Sequence, residues 1–389
     1  MEAGHFLPGI AALQDEMIAL RQRIHAHPEL GFEEFTTSEL VAQCLMEWGY
    51  DVSTGVGKTG VVGTLKNGEG RSLGLRADMD ALPIQEATGL PYASRIDGVM
   101  HACGHDGHTA TLLAAAKYLA QTRDFNGTLN LVFQPAEEGL GGAKKMLEDG
   151  LFERFPCDAI FALHNIPGYP AGQLGFYSGP FMASADTVTI KIIGTGGHGA
   201  VPHKAVDPVV VCASIVIALQ SIVSRNVNPQ ETAIITVGSI HAGNVSNVIP
   251  ASAEMILSVR ALTSEVRQLL ERRITDLVNG QAASFGAQAE IDYYRCHPVL
   301  INDPEQTAFA RQVAREWLGE GQLIEDLRPF TASEDFAFIL EKCPGSYLVI
   351  GNGQGDGSCL LHNPGYDFND ACLPIGASYW VKLAEGFLR

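Results

Sequence analysis

The sequence predicts an α/β fold with a second, α+β domain set into it. Short β-rich runs alternate with helical stretches through the first part of the chain and again near its end. That alternation describes a sheet with helices on its faces. After about Ser184 the order changes to β-α-β-β-α-β, the order of a ferredoxin-like sandwich. The expected division is therefore a discontinuous large domain over 1–183 and 297–389, with an inserted domain over 184–296.

Each element has its own warrant. Residues 10–25 place Leu13, Met17, Leu20 and Ile24 at helical spacing, and His27-Pro28 ends the run. Residues 37–48 read as a second amphipathic helix, with Thr36 or Thr37 as N-cap. Strands are expected at 61–65, 73–77, 129–133 and 159–163, with helices near 108–121 and 143–148. In the insert, strand 187–193, helix 208–223, strands 233–237 and 254–259, helix 265–283 and strand 290–294 follow in turn. Helices near 305–318, 334–340 and 370–387 and a strand at 347–350 resume the first layer. The most apolar run, 209–219, lies between Asp207 and Gln220; it is too short to span a bilayer and reads as a buried helix.

Composition excludes several classes. The chain has 389 residues and a formal charge of 26 − 44 = −18, which disfavours binding to nucleic acid or an anionic membrane. A hydrophobic fraction of 46% excludes intrinsic disorder. The start of the chain has no basic stretch followed by an apolar core, so no secretory signal is expected. Eight scattered cysteines without paired spacing point to reduced thiols and a cytoplasmic location.

The densest polar chemistry is Met100-His-Ala-Cys-Gly-His-Asp-Gly-His-Thr109, just before a helix. Thiolate and imidazole suit zinc-like divalent metals. Further donors stand at the ends of β runs in Gln134-Pro-Ala-Glu-Glu138 and at His164, and in a turn-rich loop at His362. Strand ends on one edge of a parallel sheet converge, so these groups can meet. Cys103, His105, Glu138, His164 and His362 offer five ligand groups, more than one tetrahedral site needs, and they suit two metals sharing the Cys103 sulfur. Neighbouring residues on extended backbone point to opposite sides. One of Glu137 and Glu138 can therefore ligate while the other takes a proton from metal-bound water. Spacing does not say which.

These motifs resemble the M20 metallopeptidase family, in its amidohydrolase branch of N-acyl-amino-acid, hippurate and auxin-conjugate hydrolases. The matching segments are His25-Ala-His-Pro-Glu-Leu-Gly-Phe, Leu75-Arg-Ala-Asp-Met-Asp-Ala-Leu-Pro, the 100–109 motif, Gln134-Pro-Ala-Glu-Glu-Gly, Ala162-Leu-His, Gly196-Gly-His-Gly-Ala-Val-Pro-His, Asn247-Val-Ile-Pro, Ser333-Glu-Asp-Phe and Leu361-His-Asn-Pro. They follow the family's order over nearly the whole chain. The resemblance implies a dinuclear catalytic domain, an inserted dimerisation (lid) domain, Glu138 as ligand and Glu137 as general base. It also implies substrate-binding roles for His198, Asn247 and Arg260, with His203 and Asn244 as alternatives. The implied substrate is a small N-acyl or N-aroyl amino acid, cleaved by metal-bound hydroxide, and the implied assembly is a homodimer or higher homo-oligomer. Where peptidase branches have His-x-Asp, this chain has Asp78-Met-Asp80, so Asp78 is not counted as a ligand and Asp80 would orient one. The metal is zinc, manganese, cobalt or nickel.

Other readings remain. A dipeptidase or aminopeptidase on the same scaffold would need a group for a substrate ammonium. A noncatalytic metal-binding protein would not need Glu137, and metal-free thiol chemistry would rest on Cys103 alone. Asp106 and His108 read as caps or lining at a helix start, His25–Pro28 as a helix end, and Thr331 to Asp335 as a cleft border.

Overall fold

The computed structural model describes residues 6–354 and 359–389. The chain forms two compact units, Met1–Gly179 with Ile301–Arg328 and Asp335–Arg389, and Pro180–Leu300 with Pro329–Glu334. The cuts expected at 184 and 296 fall a few residues inside the second unit, and the return of 329–334 to that unit was not anticipated. The elements that position the chemistry are, in chain order, α1 (Gln14–His25), α2 (Phe35–Glu47), β1 (Asp51–Val56), β2 (Gly60–Asn67), β3 (Ser72–Asp78), α3 (His105–Thr122), β4 (Gly127–Gln134), β5 (Ala159–Pro167), β6 (Leu174–Gly175), β7 (Ser184–Ile193), α4 (Pro208–Asn226), β8 (Ala233–Ala242), β9 (Ser252–Ala261), α5 (Ser264–Ser284), β10 (Gln288–His297), α6 (Pro304–Leu318), β11 (Gly345–Gly353) and α7 (Leu373–Phe387).

The first unit is built on a seven-stranded mixed sheet in the order β1-β2-β4-β3-β5-β11-β6. Its centre, β4-β3-β5-β11, is parallel, with Asp78 level with Gln134 and Val349 level with His164. Strands buried on both faces read as continuous apolar runs, which is why β3 and β4 stand out in the sequence. The edge pair β1–β2 is antiparallel, and β1 escaped the sequence reading because Asp51, Ser53, Thr54 and Gly55 dilute its apolar pattern. Helix α3 is buried along almost its whole length; Ala110, Ala114, Ala115 and Ala116 let it lie close to its neighbours. Gly107 belongs to that fit, since a Cβ there would stand 2.3 Å from the Phe368 ring.

Two expected caps are replaced by other contacts. Neither Thr36 nor Thr37 caps α2, which starts at Phe35; instead the Glu29 carboxylate accepts from the backbone N–H groups of Thr36 and Thr37, both at 2.9 Å. Asp106 does not cap α3 either. The N-cap is Gly104, in the left-handed region at φ +90°, and Asp106 turns inward to Arg21 and His25 of α1.

The second unit has a four-stranded antiparallel sheet in the order β8-β9-β7-β10, with α4 and α5 packed on it. Taking the strands as first to fourth, the order 2-3-1-4 is the ferredoxin-like one. Helix α4 has 19 residues and is long and apolar enough to cross a membrane by length and composition. In the fold, Val211, Cys212, Ile215, Leu219 and Ile222 are buried against the sheet. The expectation of a buried helix holds for that face only; Val210 and Ile217, on the other, are 51% and 75% exposed.

Candidate metal centre and active site

The site of the first unit lies at the C-terminal ends of its parallel strands, where α/β sheets place their chemistry. β3 ends in Asp78, β4 runs into Pro135-Ala136-Glu137-Glu138, β5 carries His164, and the Cys103 loop leads into α3. Two non-glycine residues here hold positive φ, Ala136 at +51° and His362 at +64°. Such backbone persists only when its surroundings enforce it. At Ala136 the enforcement is visible: its N–H donates to the fully buried Glu34 carboxylate at 2.8 Å, and Thr59 donates to the same carboxylate at 2.5 Å.

The five expected donors come together. Ligand atoms of Cys103, His105 and Glu138 lie within 4.8 Å of one another. His164 Nε2 is 3.5 Å from Cys103 Sγ, and His362 Nε2 is 3.1 Å from Glu138 Oε1. His105 Nε2 is buried without a hydrogen-bond partner. Buried polar atoms are normally satisfied, so this orphan beside a thiol, a carboxylate and two further imidazoles fits a pair of divalent cations.

Electrostatics agree with that use. Burial, then Glu138 and Glu137, push the Cys103 thiol well up. Burial opposes charge on His105, but Asp78 and Asp80 override it and raise its pKa to about 10. Burial and then His108 push His164 well down, keeping it a neutral donor. The Glu138 carboxylate raises His362 against the effect of burial. A carboxylate-rich pocket with a protonated thiol favours a cation that can displace protons.

Asp80 orients a donor, as its place in the sequence suggests. His105 Nδ1 bonds to the Asp80 carbonyl at 2.9 Å and to its Oδ1 at 3.2 Å, while Asp80 Oδ2 accepts from the Glu138 backbone N–H at 2.9 Å. Asp78 pairs with Arg76 and with His108 Nδ1, both at 2.6 Å. The atoms of Asp78, His105, His108 and His164 also cluster within 4.8 Å. In that cluster His108 has both nitrogens engaged, since its Nε2 accepts from the Asn165 N–H at 3.0 Å.

The two adjacent glutamates are separated, though not for the reason expected. They sit in a turn after β4, not on extended backbone. The left-handed Ala136 redirects the chain, so that Glu138 meets Cys103 and His105 while the Glu137 carboxylate comes within 4.8 Å of that of Asp335.

Sequence reasoning missed a buried ionic cluster behind the Cys103 loop. Arg21 Nη1 lies 3.0 Å from Asp106 and His25 Nδ1 lies 2.9 Å from the same carboxylate, all three side chains fully buried. His25 therefore does more than end a helix. Arg21 and His25, one turn apart on α1, were the available signal.

The second unit holds the three expected substrate residues, in two places. His198 pairs with Val248 in a two-stranded ladder, and Asn247 is next to it, its carbonyl accepting from Gly199. His198 and Asn247 are both exposed. Arg260 is near the other end of β9, donating to Ser333 at 2.9 Å. From Ser252 to Arg260 that strand runs roughly 27 Å, at about 3.4 Å per residue. One copy of the unit therefore does not bring Arg260 together with His198 and Asn247.

Comparison with known proteins places this site in context. Residues 74–386 match the model of peptidase family M20/M25/M40. The chain is 49% identical to a hippurate hydrolase of Campylobacter jejuni, over 99% of this chain and 100% of that one. It is 41% identical to an N-acetyl-L-cysteine deacetylase of Bacillus subtilis, over 96% of this chain and 88% of the relative. Among solved structures, the YXEP protein of Bacillus subtilis, a dinuclear metal binding peptidase from the M20 family, superposes with a TM-score of 0.84 at 35% identity, covering 96% of this chain and 98% of that one. The chain belongs to peptidase family M20/M25/M40, in its amidohydrolase branch, and is a metal-dependent hydrolase acting on amides.

Proposed function

We propose that this chain cleaves the amide bond of N-acyl or N-aroyl amino acids, releasing a carboxylic acid and the free amino acid. The carrying observation is the convergence of Cys103, His105, Glu138, His164 and His362, with the Glu137 carboxylate near enough to act on the Cys103 thiol. The 49% identity to a hippurate hydrolase supports the same substrate class. These five residues would hold two divalent cations, zinc, manganese, cobalt or nickel, which supply Lewis acidity and lower the pKa of water. Glu137 accepts the proton of the attacking water and returns it to the leaving nitrogen. His198 donates to the developing oxyanion, and Arg260 holds the substrate carboxylate.

Because His198 and Asn247 stand at the end of β9 away from Arg260, the reading assigns them to the active site of a second copy, making the enzyme a homodimer. Mixing the separately inactive Glu137→Gln and His198→Ala proteins tests this. Exchange of subunits restores part of the activity if the site is shared, and none if each copy acts alone. Eight free thiols support a cytoplasmic location. The substrate test is hydrolysis of hippurate and N-acetylated amino acids against free dipeptides. Faster cleavage of the dipeptides would favour the peptidase reading.

A further inference from the structure

Behind the donors runs a closed set of buried hydrogen bonds centred on Asn165, the residue after His164. Asn165, Tyr366, His108, Asp78 and Arg76 are each at most 5% exposed. The Asn165 side-chain amide donates to the Cys103 carbonyl at 2.7 Å and approaches His108 Nε2 at 2.9 Å. Its oxygen accepts from the Tyr366 hydroxyl. Its backbone N–H donates to the same His108 Nε2. That nitrogen therefore carries no proton, and Nδ1–H donates to Asp78, which Arg76 neutralises. The amide can sit only one way round. Flipped, its oxygen would face the Cys103 carbonyl and an imidazole lone pair, both acceptors. The glycine between Cys103 and His105 follows from the same contact, since a Cβ on Gly104 would stand 2.3 Å from Asn165 Nδ2 and 2.7 Å from the Tyr366 oxygen.

We propose that Asn165 is a positioning residue that fixes the separation of the Cys103 and His164 donor atoms, by tying the end of β5 to the backbone of the Cys103 loop. The inference rests on the reading of Cys103 and His164 as metal ligands. His164 follows its own strand; Cys103 lies on a loop tied to Leu82 at Met100 and to His362 at Ala102, and the 2.7 Å bond to its own carbonyl links it to the strand that carries His164. Groups behind the ligands commonly set affinity in this way, their loss costing about 10–100-fold. Asn165 touches no substrate in this account, and its effect passes through the sulfur's position.

Stripped protein titrated with Co²⁺ provides the test, because thiolate-to-cobalt charge-transfer absorption reports the Cys103 bond directly. Asn165→Ala is expected to weaken Co²⁺ binding about 10–100-fold and to shift or weaken that absorption. Tyr366→Phe keeps the bond to Cys103 but leaves the amide oxygen without its donor, so the amide is held less firmly, and a smaller, few-fold loss with the same spectral change is expected. A folded Asn165→Ala protein with wild-type Co²⁺ affinity and spectrum overturns the proposal. Should Asn165→Ala fail to fold, Tyr366→Phe decides alone, and a wild-type affinity and spectrum there overturns it equally. Wild-type protein lacking any thiolate-to-cobalt absorption would instead overturn the ligand assignment itself.

Discussion

Replacing Arg21 with methionine removes a guanidinium that the fold buries completely. Arg21 Nη1 stands 3.0 Å from Asp106 and 3.0 Å from Asp367, and Nε stands 2.5 Å from Asp370. The side chains of Asp367 and Asp370 keep 27% and 25% exposure, so water screens most of what they lose. The loss therefore falls on Asp106, which is wholly buried. Removing one member of a buried pair costs about 3–5 kcal/mol, because a charge is left without its partner. His25 still faces Asp106 at 2.9 Å, which puts the expected loss near the lower end, about 3 kcal/mol. Arg21→Met combined with Asp106→Asn removes both charges and should recover about 1–2 kcal/mol of that loss. Trp48, Trp317 and Trp380 all belong to the first unit, so urea unfolding followed by tryptophan fluorescence reports the right part of the chain. A single-variant loss below about 1 kcal/mol, or strictly additive losses in the double variant, would refute the reasoning.

Glu137→Gln should lower kcat by about 10²–10⁴ while cation stoichiometry stays unchanged; near-normal turnover would remove Glu137 as the base. Burial opposes charge on His25, but Asp106 overrides it and raises its pKa to about 10. A raised histidine contributes stability that is complete below its unfolded pKa of about 6.5 and is lost as pH rises toward 10. The melting temperature of the chain should therefore fall over that interval, and His25→Gln should remove this component; a wild-type melting temperature that rises across it contradicts the pairing. Gly107→Ala drives a methyl into the Phe368 ring and should cost about 1–3 kcal/mol in the same urea assay, where an unchanged midpoint would show that α3 has room to move.

Four of the five donors were legible in the sequence because each sits beside a β run or helix start, and such ends converge on one edge of a parallel sheet, whereas His362 stands in a turn-rich loop. The separation of Glu137 from Glu138 was inferred through extended backbone, but a left-handed Ala136 in a turn produces it, and no pattern announces positive φ at an alanine. Asp106 looked like a helix cap because caps are local and sequence shows local offsets. Its true partners, Arg21 and His25, lie some eighty residues away and are joined to it only by packing. Glu29 displaced Thr36 and Thr37 as the cap of α2 from only seven or eight residues away, outside the one- to three-residue offsets by which caps are read. The ferredoxin-like order was readable from strand and helix alternation. The placing of Arg260 away from His198 and Asn247 was not, because it depends on which end of β9 the His198–Val248 pair lies beside.

The account stands on two cations held by one thiolate, three imidazoles and one carboxylate. Chelator-stripped protein, reloaded with Zn²⁺ or Mn²⁺ and measured by calorimetry with elemental analysis, should take up two equivalents per chain, and Cys103→Ala should lose at least one. Uptake of a single equivalent, or two equivalents unaffected by Cys103→Ala, would contradict it.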